Sequence, residues 1–279
     1  MTVATASTGQ GLGTRVGPCL SGFGQRHCVR STAAPDPGVQ LAAFAVSSSL
    51  FALFLYLTLY LQNYLGLSPF AAGVRYLPIT VLSFLVAPAA GVMLSRVPAR
   101  LMLFVGLVAV GAGLLLMGDL QPDDTWTALL AGFLVAGAGV GLINPVIADV
   151  AVSVVPKEKS GMAAGVNDTF RQVGIAVGIA VWGAVFVAQG SHKVHELSTG
   201  TPLAEGSRPR ELVEAASSGS LPQALAALPE PARAAASTAA RAGFLDGLNL
   251  VLLLGGVVSL AGAALALWLV RESEIDREA

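Results

Sequence analysis

GAGVGLINPVIADVAVSVVPKEKSGMAAGVNDTFRQVGIAVGIAVWGAVF, residues Gly137 to Phe186, holds two long apolar runs joined by a short basic turn. Neither run has a polar face like that of a soluble helix. Both are apolar on every side, interrupted by Asn144, Asp149, Asn167, Asp168 and Arg171. A bilayer core takes about 20 residues of apolar helix to cross. Charge inside such a segment is costly and tends to mark a working site. The stretch therefore reads as two membrane-spanning helices that carry polar groups at depth.

Outward from it, the same reading gives six spans in all. The first runs about 39–61, the second 72–94, the third 101–118, the fourth 126–155, the fifth 161–189 and the sixth 244–270. Short turns join them, except for a loop expected at about 190–243 with weak helical stretches such as 221–228. The fold class is all-α: a polytopic membrane protein with a six-transmembrane-helix bundle over 39–271. A cytoplasmic tail comes after it at 272–279. Residues 1–38 are rich in Gly, Ser, Thr and Pro and lack a signal peptide's layout. They read as disordered, or as the product of a misplaced start.

Composition supports this class. Hydrophobic residues make up 54% and charged residues 12% of the chain, where a soluble domain carries about 25% charged residues. A net charge of -1 gives no case for nucleic acid. Cys19 and Cys28 are too few for a disulfide framework, and with His27 they have poor metal spacing. His192, His195 and Glu196 lack an evident third ligand. No Walker motif, catalytic triad or dinucleotide fingerprint stands in a suitable context, so neither an enzyme nor a cofactor is expected.

Orientation comes from the short turns. Arg96, Arg100, Lys157, Lys159, Arg271 and Arg277 all fall on one side of the layout, and the opposite turns, 62–71 and 119–125, contain no Lys or Arg. Positive charge stays inside, so both termini are expected to be cytoplasmic. The first, fourth and fifth spans carry polar side chains at depth, and those faces should meet protein or water. Small residues four apart occur at Gly137 and Gly141, Gly161 and Gly165, and Gly174 and Gly178. That spacing permits close helix contact, and the fifth span, with two such pairs, is where packing is most expected.

The quoted stretch also resembles the major facilitator superfamily, and within it the 14-span drug:proton antiporter branch. The features that carry the likeness are the Gly-rich fourth span ending near Pro145, then Pro156, Gly161, Gly165, Asn167, and Arg171-Gln172-Val173-Gly174 with Gly178. YLTLYLQNYLGLSPFAAGVRYLP, Tyr56 to Pro78, is similar to that branch's ninth-to-tenth span junction. GVMLSRVPAR, Gly91 to Arg100, resembles a degenerate copy of the superfamily's loop between its second and third spans, with Ser95 where an acid is usual. The likeness covers about 41–271, the C-terminal half only. It implies two three-helix inverted repeats. It also implies first and fourth spans that line a central cavity, second and fifth that meet the other half, and third and sixth that face lipid. A second six-helix bundle, a separate N-terminal half or a second copy, is then needed to complete the cavity. The chain reads as an incomplete gene product sooner than as a working half-transporter.

The residues supply candidates for such a task. Asp149 lies about 10 Å of helix from Pro156, and Arg171 about 16 Å from Ser160. Neighbouring helices would bring Asp149 near Asp168 or Arg171, and a carboxylate there could bind and release protons. The alternatives are a fixed pair that orients the helices, or Asp168 satisfying Arg171 within one helix. Asn167 and Gln172 belong to the same polar group. Asn144 precedes Pro145, which leaves a carbonyl four residues back without its helical donor. That polar spot would hold substrate or water, or be a kink satisfied by a neighbour. In the first span Phe51, Thr58 and Gln62 fall near one face, suited to bulky amphipathic cations. Tyr60 and Tyr64 read as an interfacial aromatic belt, and Arg75 as snorkelling beside Tyr76.

The leading expectation is a proton-coupled secondary transporter in a bacterial inner membrane, working by alternating access on amphipathic small molecules. A non-transporting membrane scaffold or interaction subunit is the competing one.

Overall fold

Lipid tails are as apolar as leucine, so the hydrophobic effect inserts such helices without pulling them together. What associates them is close packing and hydrogen bonds between helices. The structure is a computed structural model in which residues 47–48, 54–153, 160–199 and 208–269 are described. Regular structure among them is entirely helical. In chain order come a π-helix at Tyr60–Tyr64, α1 (Pro69–Arg75), α2 (Leu77–Met93) and α3 (Ala99–Leu116). A 3-10 turn at Trp126–Leu129 leads into α4 (Leu130–Ser153). Next are α5 (Ser160–Ser198), α6 (Pro209–Ser218), α7 (Leu221–Ala226) and α8 (Glu230–Leu269).

Four of these helices are long and apolar enough to cross a membrane, and α1 with α2 makes a fifth span bent by 42°. The bend has a local cause. Pro78 has no N–H to give the carbonyl four residues back, and Tyr76 instead donates to Gly73 at 3.1 Å. Most of the expected first span lies outside the described residues, which include 47–48 and its end from residue 54.

The spans form a ring. Successive neighbours around it are the first span, α2, α4, α3, α8 and α5, with the first span closing against α5. Glycines set the closest approaches. A β-carbon on Gly137 would stand 2.7 Å from the Ile79 carbonyl, and one on Gly141 2.7 Å from that of Ser83. Where α3 meets α4, a β-carbon on Gly139 would lie 2.6 Å from the Gly106 carbonyl. Gly178 of α5 likewise packs on the backbone of Ser48 in the first span. The contact of α4 with α2 thus has a counterpart in that of α5 with the first span, as a swap of the two three-helix repeats requires. Gly161 and Gly165 meet nothing within 4 Å. Packing is most expected in the fifth span; there Gly174 and Gly178 are buried while Gly161 and Gly165 are open, and the fourth span's Gly137 and Gly141 both pack.

Two helices overrun the bilayer. At 1.5 Å per residue, α5 (39 residues) and α8 (40 residues) reach about 60 Å. That is about twice the hydrocarbon thickness. The stretch expected as a loop is helical over 190–198, 209–218, 221–226 and from 230 onward. Alanine explains this: Ala232, Ala236, Ala239 and Ala240 are buried where α8 runs beside α5. Alanine is the best helix former and lets helices approach closely. Gly190 and Gly243 cross there: a β-carbon on Gly190 would stand 2.8 Å from the Gly243 carbonyl, and one on Gly243 2.7 Å from that of Gly190. On this scaffold α6 buries Leu212, Val213, Ala215 and Ala216. Its other face pairs Arg208 with Glu211 and Arg210 with Glu214, each at 2.7 Å. The Glu211 hydrogen bond raises the Arg208 guanidinium above its ordinary pKa. These helices form a cap at the same end of the bundle as the acidic 119–125 turn.

Candidate functional site

The first span is the natural starting point, because its side chains divide between neighbours. Tyr56, Tyr60 and Tyr64 recur on one face and are buried. They belong to a continuous ladder of rings: Tyr56 to Phe186 at 5.5 Å, Phe186 to Phe244 at 5.2 Å, Phe244 to Tyr64 at 5.6 Å and Tyr64 to Tyr60 at 5.3 Å. The Tyr56 hydroxyl donates to the Ile179 carbonyl at 2.9 Å. The reading of Tyr60 and Tyr64 as an interfacial belt is corrected: the ladder seals the first span to α5 and α8 inside the bundle. Thr58 points elsewhere, with its hydroxyl 2.7 Å from the Phe54 carbonyl and 3.0 Å from the Tyr76 hydroxyl. It binds the first span to α2. What remains open is the line Leu55, Leu59 and Gln62, the first exposed and the others half-buried. Phe51 lies outside the described residues.

On α4, Asn144 is exposed, as is Ala148 one turn on. Asp149 lies in the last turns of the same helix and Asn167 two turns into α5, but the side chains of both lie outside the described residues. Arg171 donates to Asp168 Oδ1 through Nη2 at 2.8 Å and through Nε at 3.2 Å. Both side chains are about half exposed (41% and 55%). This is the within-helix pairing at three-residue spacing. Gln172 beside it is exposed. Exposed ion pairs contribute about 0–1 kcal/mol. Asp168→Asn is therefore expected to leave the thermal midpoint of the detergent-solubilised chain within a few degrees of the parent, by circular dichroism.

The apolar stretch of α5 between Arg171 and Gln189 is about 27 Å long, close to the thickness of a hydrocarbon core. The Asp168–Arg171 pair thus stands at the rim of that stretch. At its other rim Gln189 Nε2 donates to Asp246 Oδ2 at 2.8 Å, joining α5 to α8. Sequence reasoning missed Asp246 because it assigned Gln189 to the end of a helix and gave the residue no partner. The Ser259 hydroxyl donates to the Leu107 carbonyl at 3.0 Å and ties α8 to α3. Arg75 is half-buried at the start of the bent second span. Its guanidinium lies 5.5 Å over the Trp126 ring and donates to the Ala71 carbonyl at 2.8 Å. Among the described residues no three His, Cys, Asp or Glu gather to hold a metal ion.

The arrangement is therefore a ring of spans with a polar group on the free side of α5, another on α4 and a bent second span. Residues 26–179, more than half of the chain, match the family model of the Major Facilitator Superfamily. The chain belongs to that superfamily. Its facilitator relatives include a tetracenomycin C resistance and export protein of Streptomyces glaucescens, 32% identical over 86% of this chain and 44% of the relative. A multidrug efflux pump of Mycolicibacterium smegmatis is 31% identical over 80% of this chain and 43% of its own length. A puromycin resistance protein of Streptomyces alboniger is 38% identical over 49% of this chain and 28% of its own. The facilitator bundle thus spans less than half the length of the curated relatives it matches. It is a multi-pass membrane protein of the superfamily.

Proposed function

We propose that this facilitator bundle is one half of a secondary transporter that exports drugs and other amphipathic small molecules in exchange for protons. The observation that carries the reading is the exposed polar group on α5. Asp168, Thr169, Arg171 and Gln172 all show on the free side of the bundle. Ionic groups facing lipid are expensive, so this face calls for protein or water. The α2 surface agrees, with Leu77, Val81, Phe84, Leu85 and Val92 exposed along one stripe. A second six-helix bundle laid on α2 and α5 would cover both. The cavity would then lie between the halves, walled by Leu55, Leu59 and Gln62 of the first span and by Asn144 and Ala148 of α4. Alternate exposure to the two sides results from rocking one bundle against the other.

The relatives' names point to bulky organic cargo, and the mixed apolar and amide wall suits it. Positive charge at the turns containing Arg96, Arg100, Lys157 and Lys159 supports an orientation with that end and both termini in the cytoplasm and the helical cap outside. Asp149 is the carboxylate proposed to carry the proton.

Inside-out membrane vesicles holding the protein test this. Respiration-driven acidification of the lumen is expected to drive ethidium uptake, and collapsing the proton gradient to stop it. Uptake that continues without the gradient would overturn the coupling; no uptake with it would overturn export by this chain paired with a second copy of itself. Asp149→Asn is expected to lower gradient-driven uptake at least about tenfold, the loss of one coupling group. Undiminished uptake would assign the proton elsewhere.

A further inference from the structure

The cap and the first span meet at one polar contact. Asn63 Nδ2 donates to the Ser217 carbonyl at the end of α6. Gly219 caps α6 with φ +76°, a conformation that glycine adopts without strain, and it packs on the Asn63 amide. Asn63 sits in the π-helix, whose looser bonding includes the Leu65 N–H donating to the Tyr60 carbonyl five residues back at 3.0 Å; just beyond it the Leu67 N–H reaches the Leu61 carbonyl at 3.1 Å. A π turn carries one residue more than the α-helix around it and is found at functional sites. Its conversion to α would rotate the residues on its C-terminal side by about 100°. That rotation would carry Asn63 off Ser217 and Tyr64 off its seat between Phe244 and the Arg241 guanidinium, 5.4 Å over the ring.

We propose that α6 is a latch on the π-helix, with Asn63 the positioning residue that joins them. The cap end of the first span swings free only when the Asn63–Ser217 bond parts. Gating of cargo by this movement rests on the export reading; the latch itself does not. The physical case is a helix end with two available hydrogen-bond registers, held in one of them by a separate helix. Both sides of the contact bias the same two-state element.

Hydrogen exchange of the purified chain in lipid nanodiscs tests the latch without transport. Asn63→Ala is expected to speed exchange of amides 60–65 about 3- to 10-fold, the loss of one hydrogen bond. Amides of α3 should not change. Ser217→Ala keeps the accepting carbonyl and should not change either segment. Unaltered exchange in Asn63→Ala, or an equal rise in Ser217→Ala, would overturn the proposal. In a Cys19→Ser, Cys28→Ser background, Asn63→Cys with Ser217→Cys can be joined by a short bis-methanethiosulfonate, each thiol displacing methanesulfinate to form a reducible disulfide. Ethidium export should fall at least about tenfold when joined, the whole opening being blocked, and return on reduction. Export unchanged by the link would show that the latch need not part. If the reduced protein exports nothing, the export reading has failed and the exchange data decide the latch.

Discussion

Gly139→Leu is expected to leave no folded chain to purify. A β-carbon at this position would stand 2.6 Å from the Gly106 carbonyl and 2.8 Å from the Val110 N–H nitrogen. Both are backbone atoms of α3, so no side chain can turn aside to make room. Overpacking a well-packed core costs about 1–3 kcal/mol where side chains can shift. Here the α3–α4 contact itself must open, and that contact is at the middle of the ring. In lipid there is no hydrophobic force to press the helices back together at a wider spacing. Gly139→Leu should therefore elute as aggregate from a size-exclusion column in mild detergent. Gly139→Ala should elute with a lowered thermal midpoint. Gly262→Ala, at a position with nothing within 4 Å, should match the parent. A monodisperse Gly139→Leu with the parent's midpoint would show that α3 and α4 do not pack through glycine.

Asn249→Ala is the second large loss. Asn249 accepts from the Leu120 N–H at 3.0 Å and donates to the Leu120 carbonyl at 3.0 Å. Its side chain thus completes both backbone groups of a residue in the turn after α3, where the helix has run out of partners. Removing it strands a donor and an acceptor beside buried Leu120. Each unsatisfied group costs about 1–3 kcal/mol, so the loss is about 2–6 kcal/mol in all. Thermal unfolding followed by circular dichroism should show a drop of many degrees. Asn144→Ala, at an exposed position, should unfold with the parent. Equal midpoints for both variants would mean that water replaces the Asn249 clip without penalty.

These cases show what the sequence made legible. The third, fourth, fifth and sixth spans were readable because hydropathy over about 20 residues is a bulk property that neighbours do not alter. The pairing of Asp168 with Arg171 was readable because residues three apart share a helix face. Partners far apart in sequence were not readable. Nothing in the sequence around Asn249 names Leu120, 129 residues away. Tyr60 and Tyr64 looked like belt residues because tyrosine near a span end usually is one. Their burial depends on Phe244, which lies across the ring. Asp246 and Gln189 look unremarkable until two helices bring them together. The helical cap was hidden for a different reason. Its alanines and charges give low hydropathy, and the period of α6 covers only 10 residues. The resemblance to the superfamily implied which spans would line a cavity; that Thr58 turns to Tyr76 while Gln62 stays half-open could be seen only in the structure.

A helix of about 60 Å that crosses a sheet of oil about 30 Å thick must project from it. The rods α5 and α8 are joined at the membrane exit by Gly190 against Gly243 and by Gln189 with Asp246. Beyond that fulcrum, tilting them by about 10° moves the far end of α8 sideways by about 4 Å, since about 24 Å of helix projects there. A tilt of the packed spans therefore arrives at α6 as a displacement longer than a hydrogen bond, and the tip of α8 is the place to put a reporter dye.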